Sequence, residues 1–148
     1  MNDDLSFRIA ELFLEGHKCS HILMRLALEA QGRESPDLER AMSGLALGMG
    51  QGFNCGALTG AACVIGLCGG RSLADAGERD GFGPALEELT GWFHAMAHEK
   101  FGGIDCAEIM KFDPALKAQR CPALVLETWR KIEEILAKHG LDVAEEPR

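Results

Sequence analysis

Cysteine supplies the chemistry most available to this chain. Six cysteines stand at 19, 55, 63, 68, 106 and 121 of 148 residues, and four of them share one kind of local setting. Cys19, Cys55, Cys106 and Cys121 each fall at the first or capping residue of an expected helix. Each also begins that helix's apolar stripe: Cys19 with Ile22, Leu23 and Leu26; Cys55 with Thr59, Ala62 and Gly66; Cys106 with Ile109 and Met110; Cys121 with Leu124, Val125 and Ile132. All four thiols should therefore point inward from helix N-termini. Such a terminus offers unpaired N–H groups and about half a positive charge, which favours a thiolate and can bring a cysteine pKa from about 8.5 to below neutral. Lys18 and Arg120 sit beside two of these positions and push the same way.

If the helix starts gather at one pole of a bundle, two to four activated thiols share a pocket. At least two of them would then cycle between dithiol and disulfide, working with a protein redox partner. The alternative is a module in which the same four residues ligate zinc, iron or an iron–sulfur cluster, carrying electrons or delivering metal. A second alternative is a helical scaffold or subunit whose cysteines are structural, since free cysteine packs well as a small hydrophobe. The spacings of 36, 51 and 15 residues do not resemble paired C-x-x-C motifs and choose none of the three. Nothing in the residues assigns catalytic turnover.

The other two cysteines read as core or neck residues. On an ideal helix Cys63 lies about 80° and Cys68 about 140° from the face of Cys55. His94 and His98 have the i, i+4 spacing of a metal pair, but they border Glu87 and Glu99 and read as surface residues. His21 should face water with Arg25, while His17, in the preceding loop, could reach the thiol pocket. Glu87-Glu88 and Glu133-Glu134 read as solvated faces, and Trp92 and Trp129 as core or interface anchors.

The elements that must position these residues are helical, since apolar residues recur at helical spacing and no useful strand alternation occurs. Leu5 to Phe13 forms a helix that Gly16 stops; Cys19 to Ala30 forms a second, closed by Gln31-Gly32. Ser35 caps a third with Pro36 in its first turn. Asn54 should cap a fourth, from Cys55 to about Leu67. Gly69 to Gly83 reads as a loop. Pro84 begins a long fifth helix ended by Gly102-Gly103, and Asp105 caps a short sixth from Cys106 to Lys111. Pro114 to Gln119 adds a turn, and a last helix starts at Cys121-Pro122 and runs to a Gly140 C-cap.

The centre of this plan is Gly44 to Gly70, with nine of the chain's 18 glycines and no charge. Glycine at 44, 48, 52, 56 and 60 recurs every fourth residue, which on helices leaves a stripe for close backbone approach. The expected fold is thus an all-α, single-domain helical bundle of about six to seven helices with a Gly-rich central helix pair. It occupies residues 1–140, with a polar C-terminal tail at 141–148. The uncharged run is broken by Gly50-Gln51-Gly52-Phe53-Asn54, so no membrane insertion is expected. Its glycines follow no strand and form neither a P-loop nor a dinucleotide fingerprint.

A formal net charge of -8 and the lack of a basic stripe argue against nucleic acid. The acidic, amphipathic N-terminus lacks the basic and apolar regions of a secretory signal, so the expected location is cytoplasmic. There, cysteines serve as reactive thiols, ligands or core residues more than as disulfide staples. A homodimer is compatible with these features.

Cys19, then Gly48-Met49-Gly50 followed by Cys55-Gly56-Ala57-Leu58-Thr59-Gly60, then Phe101-Gly102-Gly103-Ile104-Asp105-Cys106, and finally Cys121 together resemble the bacterial and archaeal C_GCAxxG_C_C family. The resemblance spans about Gly16 to Leu136. The family label writes Gly-Cys-Ala-x-x-Gly where this chain has Cys-Gly-Ala-x-x-Gly after Asn54, and we read the two as one element. The resemblance implies a small helical protein with a suspected redox role on Cys19, Cys55, Cys106 and Cys121. It implies no substrate, and nothing for Cys63 or Cys68.

Overall fold

The computed structural model describes residues 2–145. Among them run seven α-helices and no strand: α1 Asn2–Leu14, α2 Cys19–Ala30, α3 Pro36–Met42, α4 Gly56–Gly69, α5 Phe82–Phe101, α6 Cys106–Met110 and α7 Pro114–Lys138. This is the expected all-α bundle. No helix among the described residues is long and apolar enough to cross a membrane.

Helix α4 has no charged residue and lies at the centre, packed against α2, α5 and α7. Ala57, Ala61, Val64 and Ile65 on it are fully buried, so it is enclosed on more than one side, as a helix apolar all round must be. Leu23 and Leu28 of α2, Leu89 and Phe93 of α5, and Ile132 and Ile135 of α7 complete the core. Each such side chain contributes about 1.5–3 kcal/mol by leaving water.

Three local expectations are corrected. Of the glycine run, only Gly56 and Gly60 lie on a packed helix. Leu47, Gly48, Met49, Gly50 and Gly52 all have left-handed backbone, with φ from 55° to 75°, and form a wide loop closed by the Phe53 N–H donating to the Gly48 carbonyl at 3.2 Å. The first half of the expected Gly-rich helix pair is therefore a loop. Gly48 has no alternative there, since a Cβ would stand 2.3 Å from the Phe53 backbone.

The second correction concerns the start of α4. Cys55, not Asn54, is its N-cap, with its own sulfur accepting the Ala57 N–H at 3.4 Å. Asn54 instead pairs with Asp105 in a single antiparallel bridge.

The third is that α7 is one helix. Asp113 caps it by accepting the Ala115 N–H at 2.9 Å, Pro114 takes the first turn, and the helix continues through Pro122. Cys121 is thus inside a helix, not at its start. At the other end the Leu141 N–H donates to the Leu136 carbonyl at 2.8 Å. Leu141 and Val143, which the sequence placed in a polar tail, are buried in the core.

Candidate functional site

Cys19, Cys55, Cys106 and Cys121 meet around one cavity of about 20 Å³, walled otherwise by Phe13, Lys18, Leu47, Ile109, Met110 and Lys117. Space of that size holds about one water-sized body. Three devices bring the four cysteines together.

The first joins α2 to α4. Built as alanine, Gly60 would set its Cβ 2.9 Å from the Ser20 Cα, so glycine lets the start of α2 lie against α4 and sets Cys19 beside Cys55. Ser20 is fully buried and donates to the Met42 carbonyl at 2.8 Å, fixing the same helix start against α3. The second joins α4 to α6: the Cys55 N–H donates to the Ile104 carbonyl at 3.1 Å and the Cys106 N–H to the Phe53 carbonyl at 2.7 Å. Two cysteines far apart in sequence are thereby tied by their own backbones. The third joins α6 to α7, where Arg120 donates to the Ile109 carbonyl at 2.8 Å with its guanidinium 5.3 Å from the Phe101 ring centre.

Cys19 is half-buried, whereas Cys55, Cys106 and Cys121 are buried. The neighbouring Cys121 and burial together hold the Cys19 thiol well above its ordinary value. Cys19 in turn, with Lys117 nearby, lowers Cys121 from its ordinary value against the effect of burial. Burial pushes Cys55 up to about 12 despite its bond from Ala57. Burial and the nearby Cys121 also raise Cys106, against the pull of Lys117.

The expectation of four thiols activated by helix starts is therefore reversed. At Cys55 and Cys106 loss of water outweighs the helix end, and at Cys19 the neighbouring Cys121 and burial do so together. The one thiol that favours its anion lies mid-helix and gains it from a neighbouring thiol and a lysine. Arg120, expected to help, is occupied in joining α6 to α7.

The family model described as "Putative redox-active protein (C_GCAxxG_C_C)" matches residues 17–135. The chain belongs to this family. Comparison with curated proteins and with solved structures gives no match.

In this C_GCAxxG_C_C protein the other candidates fall outside the cavity. Cys63 is half-buried on α4. Cys68 borders a separate cavity with Arg71 and Arg79, and burial lifts its thiol to about 11. His94 and His98 are exposed on α5, with ring centres 6.0 Å apart.

His17 does not line the thiol cavity but borders a groove next to it. His21, expected to face water, instead ties the start of α2 to the end of α3. Its Nδ1 accepts the Lys18 N–H at 3.3 Å and its Nε2 lies 2.8 Å from the Ser43 hydroxyl. Lys117 and Phe13 are the wall residues that sequence reasoning missed. Lys117 stands four residues before Cys121, one turn away on the same face, a relation visible only once α7 is read through Pro122.

Proposed function

We propose that this protein is a dithiol–disulfide redox protein whose working pair is Cys19 and Cys121. The observation that supports it is that Cys19 and Cys121 line one small cavity, where each thiol shifts the protonation of the other; a disulfide between them needs the sulfurs to close to about 2.05 Å. In the reduced pair the proton is held on Cys19. Cys19, which stands at the first turn of α2 and as a residue is only half-buried, passes it to Cys121 and attacks one sulfur of a partner disulfide. That S–S bond breaks, a mixed disulfide forms on Cys19, and the departing partner thiolate takes the proton. Cys121, again a thiolate, then attacks the Cys19 sulfur and releases the second partner thiolate. Two electrons pass from Cys19 and Cys121 to the partner disulfide.

In the opposite direction a partner thiolate attacks Cys19 and Cys121 leaves. A leaving thiol with a lower pKa leaves faster, and Lys117 supports Cys121 in that role. Cys55 and Cys106 complete the wall and exclude water.

Mild oxidation with a small neutral disulfide, followed by peptide mapping, tests the assignment. The expected result is the loss of two thiols and a Cys19–Cys121 crosslink, with either single change to Ser preventing it. A crosslink mapped to Cys55–Cys106, or a thiol count that stays at six, would refute the pairing.

The enclosure of four thiols supports metal binding as a second, weaker reading. Among the described residues no three His, Cys, Asp or Glu side chains converge as ligands, so an ion would require the sulfurs to move. Stoichiometric zinc or iron on anaerobically purified protein, lost in Cys55→Ser, is the result that would favour it.

A further inference from the structure

The partner of this thiol pair is legible in the charges around it. The chain has a formal net charge of -8, yet among the described residues the only ionisable groups walling the thiol cavity besides the cysteines are Lys18 and Lys117. Both are half-buried, and neither forms an ion pair with a carboxylate among the described residues, whereas Arg8, Arg25, Arg40 and Arg79 do. These two partly desolvated cations line the cavity itself, whereas Asp105, the carboxylate that acts on the Cys106 thiol, stands outside the lining, so the side an incoming group meets is locally cationic on an acidic molecule.

Phe13 and Lys117 also belong to a second surface. They line both the thiol cavity and an adjoining open groove of about 410 Å³ between α1 and α7, whose apolar sides include Leu14, Pro114, Ala118 and Pro122. Leu14 is 90% exposed. Pro122 has no N–H, so the Ala118 carbonyl lacks its i+4 donor within the helix. The groove thus offers apolar contact and shares Lys117 with the cysteine cavity, with no carboxylate along its lining.

We propose that this groove and the two lysines receive an extended peptide segment of a partner protein, carrying a disulfide-bonded cysteine with an acidic residue beside it. The apolar part of the segment lies between α1 and α7, its carboxylate faces Lys18 and Lys117, and its sulfur meets Cys19. The proposal rests on the Cys19–Cys121 exchange described above and adds to it the identity of the partner. The groove exceeds the reach of a small disulfide, which would touch the lysines alone; the peptide is therefore the occupant.

The test uses the full chain, reduced, and four oxidants: a neutral small disulfide, an anionic small disulfide, and a pair of apolar disulfide peptides that differ only in Asp or Lys beside the cysteine. The expected result is that the Asp peptide oxidises the Cys19–Cys121 pair about tenfold faster than the Lys peptide at low ionic strength, with the ratio falling toward one as salt screens the lysines. The Asp peptide should also outpace the anionic small disulfide. Lys18→Gln should shrink the Asp-to-Lys ratio and Lys18→Arg restore it, while Leu14→Asp should slow the Asp peptide and leave the small disulfides unaffected.

Equal rates for the two peptides, or a small anionic disulfide as fast as the Asp peptide, would overturn the proposal while leaving the thiol pair intact. Failure of the neutral disulfide to oxidise the pair at all would instead remove the exchange chemistry on which it stands.

Discussion

At Cys55 two effects oppose each other on one sulfur, and their balance can be measured. The Ala57 N–H donates to it at 3.4 Å, which favours the thiolate, but only 4% of the residue is exposed and burial raises its pKa to about 12. An unfolded chain releases this proton near 8.5. Below that value both states hold the proton and stability is unaffected. Between there and about 12 the folded state binds more protons than the unfolded one, so stability falls as pH rises, by about 1.4 kcal/mol per unit at full slope. Cys55→Ser keeps an N-cap oxygen and lacks this titration. Urea midpoints of the two proteins should therefore diverge between pH 8 and 11, the wild type losing ground; parallel curves would mean that the thiol is hydrated.

The same balance explains what was legible residue by residue. The four cysteines could be singled out because each begins an apolar stripe, and the structure does bring them to one cavity. Their protonation could not be read, because it depends on which thiol touches which, and on Lys117 rather than Arg120. His21 differs from expectation for a related reason: it lies opposite the apolar stripe, but α3 supplies Ser43 there.

The elements show how far spacing alone can mislead. A glycine at every fourth position from 44 to 60 fits a helix, but a left-handed backbone also demands glycine, and Gly48 and Gly52 answer that demand. Only at Gly56 and Gly60 does the period mean close approach between helices. Pro122 misled in a similar way. Proline in a helix interior costs roughly 3 kcal/mol, so a start at Cys121-Pro122 was reasonable. Asp113 and Pro114 provide a better start, and the packing of α7 against α1, α2, α4, α5 and α6 offsets the lost bond.

The two roles of glycine separate by experiment. In Gly60→Ala the added Cβ meets the backbone of Ser20 at 2.9 Å, which cannot rotate away. We expect a loss of about 1–3 kcal/mol, the usual cost of overpacking, and slower Cys19–Cys121 disulfide formation as α2 shifts. Gly66, on the same helix, would meet nothing within 4 Å, so Gly66→Ala should gain about 0.5–1 kcal/mol from helix propensity alone. Urea midpoints measure both. A Gly60→Ala variant as stable as the wild type would show that the α2–α4 contact does not hold Cys19 in place.

Across the whole molecule, the proposed pair joins the start of α2 to the middle of α7 and so closes most of the chain into one loop. That placement links redox state to folding. Crosslinking across roughly 100 residues removes loop entropy from the unfolded chain worth about 4–5 kcal/mol, provided the native sulfurs need little movement. Cys19 and Cys121 line one small cavity, and the stability of the oxidised protein measures whether they meet that condition. The oxidised protein should therefore resist urea by several kcal/mol more than the reduced one, and Cys19→Ser should show no difference between the two treatments. By linkage, whatever the disulfide adds to the fold, the fold adds to the disulfide, lowering its reduction potential relative to the same pair in an unfolded chain. Urea unfolding in oxidising and reducing buffer measures one side of this cycle, and equilibration with a thiol buffer of known potential measures the other. Agreement between them would mean that the native site accepts the bond without distortion. An oxidised form no more stable than the reduced one would mean that closing the bond strains the packing of α2 against α4 and α7, and that the pair stores its electrons at the expense of the bundle.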